Sequence, residues 1–511
     1  MELMLDRVCR ERYERIFCTT EMHEEMMEMI ITDKSPDVLR IVKGCADVYI
    51  KDKGARDGKI DTNGVVKGVV LYIAEGESEV RKLDFSMPFS YVTDARDVTA
   101  SSKVRAEVSL KNFDVQEVNP RKVSVKATLE LSLSAYQKRT VELTNEVNAP
   151  EGIEIHTKKR VVDLYNTTHI EEKSFVINDD IELTSSESDL QSLLTSSVSL
   201  SVTDTKIIGN KAILKGTSEI TYMYKLSDGT IGSGEYELPF SQILDIEGMT
   251  EEDDLKNTLA VSAFELEPQY DATGKARYMT VSISAEVCSI VRRRERADIM
   301  DDLYSIGGEL TLKRENLSCE SFGDRVEKRV SVTEAIEAEN GVKRVLDVEV
   351  KVFAPQRRRE ENEERLVSDA VVNVVYIGTD DVLYNVRRRK NVICPVSVIS
   401  GNNYEANAKV NGKGYSVGVG NEINVRFFTD FDVTETNDIA VPVIAEAEFG
   451  ESEENKAQSF TVSVVRLSDE CDLWTLAKEH MSTVDEIKLA NNITDDSELK
   501  KGRMVLIPRK R

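Results

Sequence analysis

A recurrence at long range constrains this chain more than any local motif. Val70-Leu71-Tyr72-Ile73-Ala74 is followed by Met87-Pro88-Phe89-Ser90. Tyr222-Met223-Tyr224-Lys225-Leu226 is followed by Leu238-Pro239-Phe240-Ser241, and Val374-Val375-Tyr376-Ile377-Gly378 by Cys394-Pro395-Val396-Ser397. Tyr72, Tyr224 and Tyr376 are separated by 152 residues at each step. A period that long exceeds any solenoid unit and marks copies of a whole domain. The third copy diverges most: its proline motif lacks the phenylalanine, and it carries the charged insertion Arg357 to Arg365.

The texture inside each copy is that of strands. Val123, Val125, Ala127, Leu129 and Leu131 alternate with Ser124, Lys126, Thr128 and Glu130. Period two with one polar face is a half-buried antiparallel strand. Similar runs close the other copies, at Tyr278 to Val287 and Val441 to Phe449. The expected fold is therefore mainly β, with three tandem β-rich, sandwich or barrel-like repeat domains over 35–158, 159–300 and 301–460. The Pro-Phe-Ser motif reads as a turn, and Gly64, Gly68, Gly209 and Gly216 as turns or bulges. Residues 1–34, rich in Met, Glu and Arg, show apolar residues at roughly helical spacing (Met4, Val8, Tyr13, Ile16, Phe17, then Met26, Met27, Ile30, Ile31). They predict an amphipathic N-terminal helical segment, packed on the first domain or offered to a partner.

Charge and composition exclude whole classes of function. With 67 basic and 92 acidic residues the chain carries −25, which repels phosphate backbones and anionic lipid. No nucleic-acid binding and no direct membrane insertion are expected, since no run approaches the ~20 apolar residues of a span. The acid-interrupted N-terminus does not read as a signal peptide, so a cytoplasmic location is expected. Seven scattered cysteines form no C-x-x-C, and four histidines are too few for a metal or catalytic cluster. His156 and His169 read as loop histidines, and the basic runs Arg292–Arg294, Arg357–Arg359 and Arg387–Lys390 as solvated loops or a patch for an acidic partner. The Gly-rich stretch 412–420 lacks the spacing of a phosphate loop and reads as turn plus strand. No nucleophile elbow, zincin motif or Cys/His signature occurs. The expectation is no enzyme, no catalytic residue, no cofactor and no metal.

The last fifty residues differ. They hold nine acids and nine bases, so the negative excess lies upstream, and 461–511 reads as a separate domain. Val462 to Leu467 alternates as a strand. Asp472 can cap a helix from Leu473 through His480, Thr483 a second over Val484 to Ala490 with Glu486 at the capping-box position, and Asn491-Asn492 can close it. Met504 to Pro508 returns as a strand, giving β-α-α-β. Leu473-Trp474-Thr475-Leu476-Ala477, then Leu489-Ala490-Asn491-Asn492-Ile493, then Val505-Leu506-Ile507-Pro508 resemble a LysM domain. Glu470-Cys471-Asp472 stands where that family has Gly-Asp-Thr, in the loop that helps hold N-acetylglucosamine polymers; its loss weighs against peptidoglycan binding.

Three β-rich repeats ahead of a LysM module, with the aliphatic-Tyr strand and Pro-Phe-Ser motif, resemble the SipL family of endospore-forming bacteria. The resemblance implies a non-enzymatic scaffold of spore coat assembly, made in the mother cell and placed at the forespore surface. It implies binding of the stage IV spore-coat morphogenetic ATPase through the LysM module, with other coat proteins recruited by the repeats. The expected partner-binding residues are Asp472, Leu473, Trp474, Leu476, Asn491, Asn492, Ile493 and Ile507. The competing expectation is a peptidoglycan-binding protein of cell wall or cortex.

Overall fold

The computed structural model describes residues 1–32, 35–76, 79–149, 152–184, 187, 189–360, 363–418, 421–450, 462–467, 472–494 and 499–508. The fold is mainly β, and its only helices among the described residues are two short ones near the C-terminus. One pairing scheme recurs three times. In the first strand set, β1 (Met4–Ile30) runs antiparallel to β6 (Lys122–Asn148), which also carries β5 (Lys103–Asn119). Between them β2 (Val38–Arg56), β3 (Lys59–Ala74) and β4 (Val80–Asp94) form a separate sheet in the order β2-β3-β4. The two sheets sandwich a core of Ile60, Val66, Val70 and Tyr72 against Val123, Val125, Ala127, Leu129, Leu131 and Leu133.

The second set repeats the scheme. β7 (Ile155–Glu182) pairs with β12 (Ala276–Ser305), β12 with β11 (Asp254–Tyr270), and β8 (Leu190–Ile208), β9 (Lys211–Leu226) and β10 (Ile231–Asp245) form the small sheet. In the third, β13 (Glu309–Glu337) pairs with β19 (Glu422–Gly450), and β18 (Asn403–Val417) flanks β19. The small sheet centres on β16 (Glu363–Ile377), with β17 (Leu383–Ile393) on one side. Its other edge is split into β14 (Arg344–Val352) and β15 (Gln356–Glu360). Pro355 sits at the break, where a residue without an N–H cannot continue the ladder.

Two sequence expectations are corrected here. Residues 1–34 are not helical: β1 occupies Met4–Ile30 and belongs to the first strand set. Its alternation was hidden because the residues that face β4 are polar. Glu25 accepts from the Tyr91 hydroxyl at 2.7 Å, Glu21 from Thr93 at 3.1 Å, and His23 stacks on Tyr91 at 3.9 Å, while Met22 and Met26 point to solvent. Pro-Phe-Ser is not a turn either. Pro88 and Pro239 lie on the edge strands β4 and β10, where a missing N–H is tolerated. Phe89 covers Gly64 on the neighbouring strand, and Phe240 covers Gly216; a Cβ at either glycine would stand 2.3 and 2.2 Å from the ring. Ser368 occupies the corresponding place in β16, fully buried, and there the phenylalanine is absent.

The three sets are not beads on a string. Leu71, Met223 and Val375, each one residue before the recurring tyrosine, pack together with exposures of 0, 2 and 0%. Val42, Val69, Ile73, Val80, Leu194, Ile231, Leu346 and Leu383 complete the buried part of this shared cluster. The long outer strands meet as well: Tyr13 of β1 opposes Thr167 of β7, and Tyr165 of β7 opposes Glu320 of β13. Beyond bulges in the long pairs, such as those at Arg15/Phe17, Val291/Arg292 and Phe322/Arg325, the strands bend and their far halves form a common stem. Its core is Val141, Leu143, Leu164, Ile299, Cys319, Val441 and Val443, drawn from all three sets.

Charges are buried at these junctions. Glu405 binds Arg292 at 2.7 Å and Lys256 at 2.5 Å, and the Arg292 guanidinium lies 4.4 Å over the Phe322 ring. Lys53 joins Glu172 and Glu286 at 2.7 and 2.6 Å, and Lys43 joins Asp347 at 3.2 Å. The reading of Arg292–Arg294 as a solvated loop is therefore corrected. All three lie in β12, Arg292 is 6% exposed, and Arg293 binds Asp253 at 2.7 Å. The runs at 357–359 and 387–390 also sit in strands, β15 and β17. The Gly-rich stretch continues β18 as far as Val417; its residues 419 and 420 lie outside the described residues.

Candidate functional site

The C-terminal module is built from short local signals. Leu473–Glu479 forms α1, capped by Asp472, whose carboxylate accepts from the Thr475 N–H at 2.6 Å. Val484–Asn491 forms α2, capped by Thr483, whose hydroxyl accepts from the Glu486 N–H at 3.1 Å. Side-chain oxygens at these positions satisfy N–H groups that a helix start leaves without partners. Asn492 ends α2 in the left-handed region at φ 52°, which asparagine tolerates. β20 (Val462–Arg466) and β21 (Met504–Pro508) pair antiparallel.

The residues expected to bind a partner divide into four groups. Leu473, Leu476, Ile493 and Ile507 are 3, 3, 4 and 0% exposed and form the module's own core with Ala477, Ile487, Leu499 and Val505. A docking surface through Leu473 and Ile493 is thus corrected: both are consumed by packing, which outcompetes exposure in a module this small. Asn491 clamps β21, donating to the Ile487 carbonyl at 2.9 Å and to the Leu506 carbonyl at 2.5 Å and accepting from the Leu506 N–H at 2.7 Å. Asn492 is exposed. Asp472 and Trp474 face the rest of the chain. The residues Glu470 and Cys471 of the altered loop lie outside the described residues.

Trp474 is where the module meets the stem. Its indole Nε1–H donates to Asp302 at 2.8 Å, and its ring meets Tyr304 edge to face at 4.9 Å. Lys478 binds both Asp302 oxygens at 2.8 Å, and Asp472 takes Lys158 at 3.2 Å. The Tyr304 hydroxyl donates to the Ser482 carbonyl at 2.8 Å. Asp302 and Tyr304 close β12, and Lys158 opens β7. Nothing in the sequence tied these strand ends to the module, because the contacts lie more than 170 residues apart along the chain. In sequence, Asp301-Asp302-Leu303-Tyr304-Ser305 echoes Val162-Asp163-Leu164-Tyr165-Asn166. The structure places the two apart: Tyr304 opposes His156, whereas Tyr165 opposes Arg294. Neither His156 nor His169 is in a loop; both lie in β7.

The contact is pH-sensitive by its charges. Burial alone would raise the Asp302 carboxyl, but Lys478 and Trp474 outweigh it and hold the group below the usual range. For Asp472, burial is likewise outweighed by Thr475 and Lys158. A carboxylate depressed in the docked state favours docking above its free value near ~3.9, and loses that support as pH falls through the depressed one. Acidification well below pH 4, through the depressed values, is expected to release the module. Trp474, the only tryptophan, reports release by a red-shifted emission. An Asp302→Asn variant should show the released spectrum already at neutral pH.

With its inner residues packed, the module still offers an apolar face. Val462, Val464, Met504 and Leu506 are 49, 55, 58 and 42% exposed on β20 and β21, where Val464 opposes Leu506. Alternation sends Val505 and Ile507 inward and these four outward. Leu489 on α2 is 85% exposed. The sequence signal existed, since both strands alternate apolar residues onto both faces.

Among the described residues no cluster of metal-ligating side chains occurs, and no helix is long and apolar enough to cross a membrane. No curated protein and no solved structure matches the chain. The family described as SipL, SPOCS domain, matches it twice, over residues 37–118 and 189–267. The two matches begin 152 residues apart, the spacing of the recurring tyrosines, and cover β2 to β5 and β8 to β11. Two such matches, on two strand sets with one pairing scheme, identify two SipL-family SPOCS domains in this chain.

Proposed function

We propose that the protein acts in sporulation as a non-enzymatic scaffold of the spore coat. In this reading 461–511 is a LysM module that binds the stage IV morphogenetic ATPase of the coat basement layer, and the protein sits on the mother-cell side of the forespore. Each strand set is one copy of the SPOCS domain, the third diverged beyond the family match. The two SPOCS matches support the sporulation role. The outward face of Val462, Val464, Met504 and Leu506 carries the docking reading, because four exposed apolar side chains on one small sheet suit a protein partner better than a sugar. The three strand sets share cores and buried ion pairs, so they suit a rigid platform rather than a flexible spacer.

The test uses the full chain, immobilised, with the purified ATPase and with insoluble peptidoglycan offered separately. Capture of the ATPase alone is expected. Val464→Lys with Leu506→Lys should weaken it by a hot-spot loss of about 2 kcal/mol, roughly 30-fold. Both side chains are on the outer face but oppose each other across β20 and β21, so each single Lys variant is measured beside the pair, and each alone should already weaken capture with the fold retained. Retention on peptidoglycan without the ATPase would replace the scaffold with a wall- or cortex-binding role.

A further inference from the structure

Where the C-terminal module meets the stem there is a cavity of about 290 Å³. Three rings form part of its wall: His156, Tyr304 and Trp474. His156 and Tyr304 stack with centroids 5.0 Å apart, and Trp474 stands edge-on to Tyr304 at 4.9 Å. Three carboxylates, Glu154, Asp485 and Glu486, also line it, with Thr157, Thr483 and Val484. No lysine or arginine lines it. Two polar atoms in this wall, His156 Nε2 and Glu486 Oε2, are shielded from solvent and lack a hydrogen-bond partner. Glu154 lies 3.5 Å from His156 Nε2. The field of the three acids adds to burial in pushing the Tyr304 hydroxyl up to about 12.

Aromatic faces and carboxylates around one small space are the chemistry that holds an organic cation. The ring quadrupoles attract positive charge, and the acids neutralise it. A buried polar atom without a partner is satisfied when a ligand supplies one. We propose that this cavity binds an alkylguanidinium or alkylammonium group. A planar guanidinium can donate to Glu486 Oε2 or to His156 Nε2 while stacking on a ring. The group can come from a basic side chain of a protein partner or from a free polyamine. The site joins residues of β7, β12 and the module, so it exists only while the module is docked, and occupancy would strengthen docking by linkage. It is separate from the outward face of β20 and β21, and its test does not depend on the coat reading.

Trp474 serves as the reporter in the full-length protein. Arginine amide, lysine amide and citrulline amide, each Nα-acetylated so that only the side chain can carry charge, are titrated at low salt beside spermidine, the citrulline derivative being the uncharged isostere of the arginine probe. A saturable fluorescence change with a dissociation constant on the order of 1 mM is expected for the charged probes and none for citrulline amide. A tighter response to arginine or lysine amide points to a partner's side chain, and a tighter response to spermidine to a polyamine. Glu154→Gln with Asp485→Asn preserves shape and leaves the Thr483 cap intact, and should weaken the response at least ~10-fold. An independent reading is the His156 ring proton resonance, assigned by its loss in His156→Gln, which should shift along the same isotherm. The proposal fails if citrulline amide responds equally, if the charge-neutral variant responds as the parent does, or if only N-acetylglucosamine oligomers shift the signal.

Discussion

Leu71→Asp will unfold all three strand sets together. Leu71 is fully buried in β3 and touches a cluster that also contains Met223 of β9 and Val375 of β16. Loss of the leucine volume alone typically costs ~2–5 kcal/mol, and an unpaired carboxylate in the same place adds to that. The sum approaches the whole stability of an ordinary domain, ~5–15 kcal/mol. Because the cluster belongs to every set, the damage is not confined to the first. Urea unfolding followed by probes placed in β5, β11 and β18 should give one coincident, strongly shifted transition. Loss of signal in β5 alone, with β11 and β18 melting as in the parent, would restore the picture of independent tandem modules. Met223→Asp should behave in the same way, although it lies 152 residues away in sequence.

Glu405→Ala is expected to destabilise the protein by about 3 kcal/mol, because it strands the buried Arg292 and the half-buried Lys256. Arg292 is 6% exposed and Lys256, half-buried, lies beside it; both pair with this one carboxylate, and Arg292 Nε has no hydrogen-bond partner of its own. Burial tends to raise Glu405, but Lys256 and Arg292 reverse that and hold it far below the usual range. Its contribution is therefore complete above the free glutamate value of ~4.3 and disappears only in strong acid. Replacing the whole triad with Glu405→Leu, Lys256→Met and Arg292→Met should recover most of the loss, since apolar side chains leave no charge without a partner. Denaturant midpoints of the single and triple variants check this. A cost below ~1 kcal/mol for Glu405→Ala would mean that water reaches the junction and solvates both cations.

How far residues alone could be read depended on whether the signal was local. The caps Asp472 and Thr483, the left-handed Asn492 and the alternating runs of β6, β12 and β19 were legible because each depends on neighbours a few positions away. The spacing of Tyr72, Tyr224 and Tyr376 was legible because duplication preserves period. β1 was misread because its inward positions are Glu21, His23 and Glu25, and their partners Tyr91 and Thr93 come from another strand. Arg292 was misread for the same reason: a buried arginine looks like a surface one until Glu405 is seen beside it.

Sequence by itself determined that this chain is β-rich, duplicated with a 152-residue period, and ends in a small capped module, since propensity, alternation and repetition are properties of neighbouring residues or of ancestry. Only the tertiary structure decided that Leu71, Met223 and Val375 share one core, that Asp302 and Tyr304 hold Trp474, and that the module's apolar partner residues are spent inside it. Those outcomes depend on which distant surfaces exclude water from one another, and burial is decided by the whole chain rather than by any segment of it.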